Sequence, residues 1–181
     1  MGKLEASALA DDRVEGLSDI SVVAARQMPE GFHARFDARG KRYIYRIRNC
    51  PRPDIFLKRY RWQISKPLDV DAMNAACSYI IGEKDFACFQ SAGGTPRETT
   101  VRNVFSLGIE RLPQDPCELK LVIEGNGFLY NMVRIITGTL VEVGLGKLRP
   151  QDLEYIIGSR DRSNAGIIAP AGGLWLDEVF Y

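Results

Sequence analysis

Histidine is almost absent: among 181 residues only His33 carries an imidazole. Four cysteines, at positions 50, 77, 88 and 117, form no CxxC pair. A structural zinc site built from clustered thiolates and imidazoles is therefore not expected. The spacing fits reduced thiols in a cytosolic, cytoplasmic protein rather than a disulfide framework. No apolar run approaches the ~20 residues of a membrane-spanning helix, and the Met1-Gly2 start has Ala6 where a myristoylation signal needs Ser or Thr. A soluble, unanchored chain is the expectation. A strong charge of one sign is also missing. With 24 Lys and Arg against 23 Asp and Glu, the net charge is +1, so attraction to a polyanion has to come from a local cluster. Internal repeats and low-complexity blocks are lacking as well.

What is present is a 45% hydrophobic chain, enough for one substantial core. Residues 1–16 have no clear period and read as a loose or partial N-terminal segment. Residues 17–181 read as one domain. Ile20 to Ala25 and Arg35 to Arg48 read as strands, and Tyr60 to Ile64 as a short one. A helix opens at Pro67-Leu68-Asp69, carries Met73, Ala76, Cys77, Ile80 and Ile81 on one stripe, and ends at Gly82. Asp85 to Phe89 is a packing segment, and Gly93-Gly94-Thr95-Pro96 marks a loop. Two strands follow, one with Val101, Phe105, Leu107 and Ile109 on a face, the other with Leu119, Leu121 and Ile123, joined by a proline-bearing turn at 112–116. An apolar helix through Arg134, a shorter one from Pro150 to Ile157 and a closing strand at 174–181 complete the pattern. The fold class is α+β, an antiparallel or mixed sheet with helices packed on one face.

Two segments carry candidate chemistry. Between Arg35 and Arg61 lie ten basic residues against Asp37 and Asp54. As a strand, 41–48 places Tyr43, Tyr45 and Ile47 on one face and Arg42, Arg46 and Arg48 on the other. Cations interleaved with aromatics suit a polyanion that carries flat bases, and equally suit a charge-protected sheet edge. In the second segment Asn131, Arg134, Gly138 and Glu142 share one helical stripe. That stripe is either the wet face of an amphipathic helix or an arginine presented to a polar cleft.

Several blocks stand in one order. They are Phe32-His33-Ala34-Arg35-Phe36, Lys41-Arg42-Tyr43-Ile44-Tyr45, Gly82-Glu83-Lys84-Asp85-Phe86 with Phe89, Thr100-Val101-Arg102, Gly127-Phe128, Met132-Val133-Arg134 and Ala169-Pro170-Ala171-Gly172-Gly173-Leu174-Trp175-Leu176. Together they resemble the C-terminal half of the tRNA pseudouridine synthase A family, over about Ile20 to Tyr181. The resemblance implies an isomerase that acts on uridines of the tRNA anticodon stem-loop. The N1 glycosidic bond is cleaved, the uracil turns while bound, and the sugar is rejoined at C5, with no cofactor and no metal. It implies that Tyr43 packs on the flipped uracil and that Arg134 pairs with a catalytic aspartate, and it makes Phe128 and Leu129 candidate walls of the base pocket. Arg35, Lys41 and Arg42 are the candidate substrate-binding cations.

The family's nucleophilic aspartate lies in an Arg-Thr-Asp motif of the N-terminal half, and that tripeptide does not occur in this chain. Asp11, Asp12, Asp19 and Asp85 lack the surroundings of a nucleophile. The expected partners are therefore the tRNA anticodon stem-loop, the missing N-terminal half and, by resemblance, a second copy in a homodimer. The chain alone is expected to be inactive, with Arg134 facing an open, wet groove because an unpaired buried guanidinium is costly. The competing reading is a non-catalytic RNA-binding or dimerisation module.

Overall fold

The computed structural model describes residues 21–94 and 98–181. The chain divides into two units, Met1–His33 and Ala34–Tyr181. In the first, residues 21–25 have no regular structure, so the strand expected at Ile20 to Ala25 is not formed over its described part. A turn follows, with Phe32 N donating to Pro29 O at 3.1 Å. The loose start expected at 1–16 lies outside the described residues.

The second unit is a mixed sheet of six strands with three helices. The strands are β1 (Gly40–Asn49), β2 (Trp62–Ile64), β3 (Gly82–Asp85), β4 (Val101–Leu112), β5 (Asp115–Gly125) and β6 (Leu174–Phe180). Their order is β2-β1-β5-β4-β3, with β6 also on β1. β1 is the hub. Its residues 41–48 pair antiparallel with β5. On its other edge β6 takes residues 40–45, antiparallel, and β2 takes 47–49, parallel. β1 starts five residues later than the sequence suggests, at Gly40, where a Cβ would press on Phe105, Phe180 and Gly125 O at 3.2 Å.

The helices are α1 (Val70–Ile80), α2 (Met132–Gly144) and α3 (Asp152–Ser159). Asp69 caps α1 by accepting from Ala72 N at 2.9 Å, and the expected stripe Met73, Ala76, Cys77 and Ile80 is buried. Ile81 leaves the stripe because it already lies in extended backbone past the helix end. α2 is buried nearly all round, as its apolar sequence requires. Gly144 lets Met73 of α1, and Leu68 just ahead of that helix, come against it: a Cβ there would meet Met73 Sδ at 2.6 Å. Thr137 and Thr139 satisfy their hydroxyls on Val133 O and Ile135 O.

Three sequence expectations change in detail. In β4 the inward face is Val104, Leu107 and Ile109, while Phe105 is 48% exposed. The pairing shifts register between Val104 and Ser106, and that bulge reverses the alternation. The link between β4 and β5 is a two-residue turn at 113 and 114, because Asp115 already pairs with Leu112. Finally, Cys50 and Cys117 are joined in a disulfide, with a Cα separation of 5.3 Å. This overturns the expectation of four reduced thiols. The antiparallel register Arg48↔Glu118 brings together two cysteines that lie 67 residues apart in sequence. Cys77 and Cys88 are free and buried, and burial pushes both thiols up to about 12.

Candidate functional site

The loop between β5 and α2 builds the site. Phe128, Leu129, Tyr130, Asn131 and Val133 line a cavity of about 310 Å³ with Tyr43 of β1, Gly94 and Leu174. Tyr43 faces this side because β1 alternates: Tyr45 and Ile47 of the same face are fully buried in the core. Tyr43 itself is half-buried and meets Phe128 edge to face, with centroids 5.3 Å apart. Desolvation raises the Tyr43 phenol above its ordinary pKa. The two rings give the cavity an apolar wall with flat faces.

Asn131 connects the cavity to Arg134. It precedes α2 in the left-handed region, at φ 60°, and its side chain makes no helix cap. The amide instead accepts from Arg134 Nη1 at 2.9 Å and donates to Ser91 Oγ at 2.8 Å. Arg134 Nε donates to Ala169 O at 2.7 Å, and the neighbouring Pro170 O accepts from Tyr45 OH at 2.7 Å. The guanidinium is thus partly buried and held on two sides. Arg134 forms no ion pair with a carboxylate among the described residues, and Nη2 makes no hydrogen bond there.

Of the two sequence readings of the α2 stripe, the wet face does not hold. The stripe is not a wet face, because the 165–169 segment runs along it. Gly166 N donates to Thr139 Oγ1, Ala169 N donates to Arg134 O, and a Cβ on Gly138 would fall 1.8 Å from Ile167 O. Nor does Arg134 stand in an open groove: protein oxygens take two of its donor positions.

The basic residues separate by face. Arg42 lies on the opposite side of the sheet from Tyr43, bonded to Glu124 at 2.6 Å and Glu178 at 2.7 Å, with Asp177 at 3.4 Å. Its guanidinium also covers Phe180. Arg46 and Arg61 share Glu118, which is only 3% exposed, and Arg48 pairs with Asp115. Lys41 is on the Tyr43 face and has no ion pair among the described residues. Arg35 stacks over Phe36 before β1 begins. The structure therefore gathers Tyr43, Phe128 and Leu129 at one cavity with Arg134 beside it, and it leaves Arg42 on the far face.

Asp85 is occupied structurally. Thr100 Oγ1 and Ala87 N donate to it and Arg160 pairs with it at 3.1 Å, so its carboxyl lies below the usual range, chiefly through the Thr100 hydroxyl. Tyr130, Gly94 and Leu174 are cavity residues that sequence reasoning missed. The glycine pair at 93 and 94 was the available signal, since a bare backbone next to a site permits close packing.

Residues 76–181 match the family described as tRNA pseudouridine synthase. The chain belongs to the tRNA pseudouridine synthase family. Among relatives named tRNA pseudouridine synthase A, it is 45% identical over 163 residues to the protein of Acetivibrio thermocellus, covering 90% of this chain and 65% of the relative. The protein of Brevibacillus brevis is 48% identical over 162 residues, with the same coverage. "tRNA pseudouridine synthase A 2" of Clostridium perfringens is 42% identical over 163 residues. The chain thus spans about 65% of the length of these synthases. Within the family match lie the cavity loop, α2 and β6, whereas Tyr43 lies ahead of it.

Proposed function

We propose that this chain supplies the uracil-holding side of a tRNA pseudouridine synthase active site, and that a carboxylate from the part of the relatives it does not span completes the cleft. The observation that carries this reading is a cavity walled by Tyr43, Phe128 and Leu129 and joined through Asn131 to an arginine without an acid partner among the described residues. A tyrosine face holds a flipped base without fixing its in-plane orientation, which a uracil that must turn between N1 and C5 requires. An arginine with Nη2 uncommitted orients an incoming aspartate and keeps it ionised. The substrate is a uridine in the tRNA anticodon stem-loop, met in the cytoplasm. Lys41 and Arg35 are the substrate-binding cations of this side, and the working form is a homodimer, which sedimentation velocity tests.

The test of the function is pseudouridine formation on a tRNA transcript. The chain alone is expected to give none. Mixed with the N-terminal portion of a relative that carries Arg-Thr-Asp, it is expected to give product. Product from the chain alone would overturn the claim that the nucleophile comes from elsewhere.

A further inference from the structure

Tyr130 stands at the rim of the cavity. It lines the space with Tyr43 and Phe128, yet it is 51% exposed, while Leu129 and Met132 on either side of the 130–131 pair are buried. An exposed aromatic on a loop is usually free to move, but this one is anchored. Gly94 lies flat against it: a Cβ at 94 would fall 2.6 Å from Tyr130 Cβ and 3.0 Å from Cγ, so the absence of a side chain there creates the seat. Tyr130 O accepts from Ser91 N at 3.3 Å, and the next side chain, Asn131, donates to Ser91 Oγ at 2.8 Å. The backbone of residue 130 is therefore tied to the 91–94 loop, and through Asn131 to Arg134.

An anchored, half-exposed π-face at the mouth of a cavity of about 310 Å³ has the properties of a stacking platform. Cavities that hold a ligand begin at about this size, and every base has a π-face to offer an aromatic ring. We propose that Tyr130 contacts substrate by stacking a nucleobase adjacent in the RNA chain to the base held at Tyr43. This rests on the reading of the Tyr43 cavity as the uracil site. A base drawn out of its stack leaves its neighbours exposed near the cavity mouth, where a second ring recovers part of the stacking they lose. Because stacking does not read base edges, the contact tightens binding with little sequence preference.

The experiment is an NMR-monitored titration of the chain with the trinucleotide ApUpA and with an analogue whose two flanking positions are abasic. The wild-type chain should favour ApUpA by about 5- to 150-fold, the range expected for one base stacked on an aromatic side chain. Tyr130→Ala should bring that ratio close to one, whatever it does to overall affinity, and Tyr130→Phe should keep it. A ratio that survives Tyr130→Ala overturns the platform while leaving the uracil site intact. If the abasic-flanked ligand binds Tyr43→Ala as well as the wild type, or if neither ligand binds the wild type, the uracil-site reading itself fails and the platform falls with it.

Discussion

At the scale of single residues, buried charge divides the arginines into those that hold the fold and those available to a ligand. Glu118 is the clearest case, with Arg61 at 2.7 Å and Arg46 at 3.5 Å around a carboxylate almost fully out of water. Glu118→Ala leaves two guanidinium groups without their acid and should cost about 3–5 kcal/mol in urea unfolding. Asp85 gives a pH signature. Its folded pKa is depressed, chiefly by the Thr100 hydroxyl, so its contribution is present above the ordinary carboxylate range and is lost as pH falls through the lower folded value. Thr100→Val should therefore lower stability at pH 7 by about 1 kcal/mol and flatten the loss below about pH 4, as followed by thermal unfolding. The alternation of β1 was readable from Lys41 to Arg48, and with it the separation of Tyr43 from Arg42. The acids that occupy Arg42 were not readable, because Glu124, Asp177 and Glu178 are far from it in sequence and meet it only through strand pairing.

At the scale of elements, helices were more legible than strand faces. The helix opening at Pro67-Leu68-Asp69 and the Met73 stripe follow from local chemistry, and α1 forms there. The face of β4 did not follow, because the single extra residue at the Val104/Ser106 bulge reverses which side chains point inward. The wet-face reading of the α2 stripe failed for a different reason. Periodicity tells which residues share a face and cannot tell that residues 165–169 will cover it. Glycine carried the missing hint, since Gly138 and Gly166 both mark the close approach. The Cys50–Cys117 bridge ties the end of β1 to the start of β5, across a separation of 67 residues. Breaking it should lower stability by about 2–4 kcal/mol. Thermal unfolding with and without reductant, beside the Cys50→Ser and Cys117→Ser double variant, checks this. Reduced wild type and the double variant should unfold together, below the oxidised chain.

At the scale of the whole molecule, near neutrality makes any RNA binding a local matter. Six cations of the β1 region, Arg35, Arg39, Lys41, Arg42, Arg46 and Arg48, are candidates for phosphate contacts in the sequence. Three of them, Arg42, Arg46 and Arg48, hold carboxylates in the structure. The slope of log affinity against log salt for single-stranded RNA should accordingly fall well below the about 4 that six contacts would give, at ~0.7 per phosphate contact. The chain belongs to the tRNA pseudouridine synthase family, and under the proposed function its share of the site is the cavity at the junction of β1, the loop after β5 and the start of α2. The most direct test of that account is pseudouridine formation by the Arg134→Ala chain complemented with a relative's N-terminal portion, measured beside the complemented wild type. If Arg134 aims the catalytic carboxylate, the rate should fall by about 100-fold or more while the two parts still associate. An unchanged rate would contradict the account.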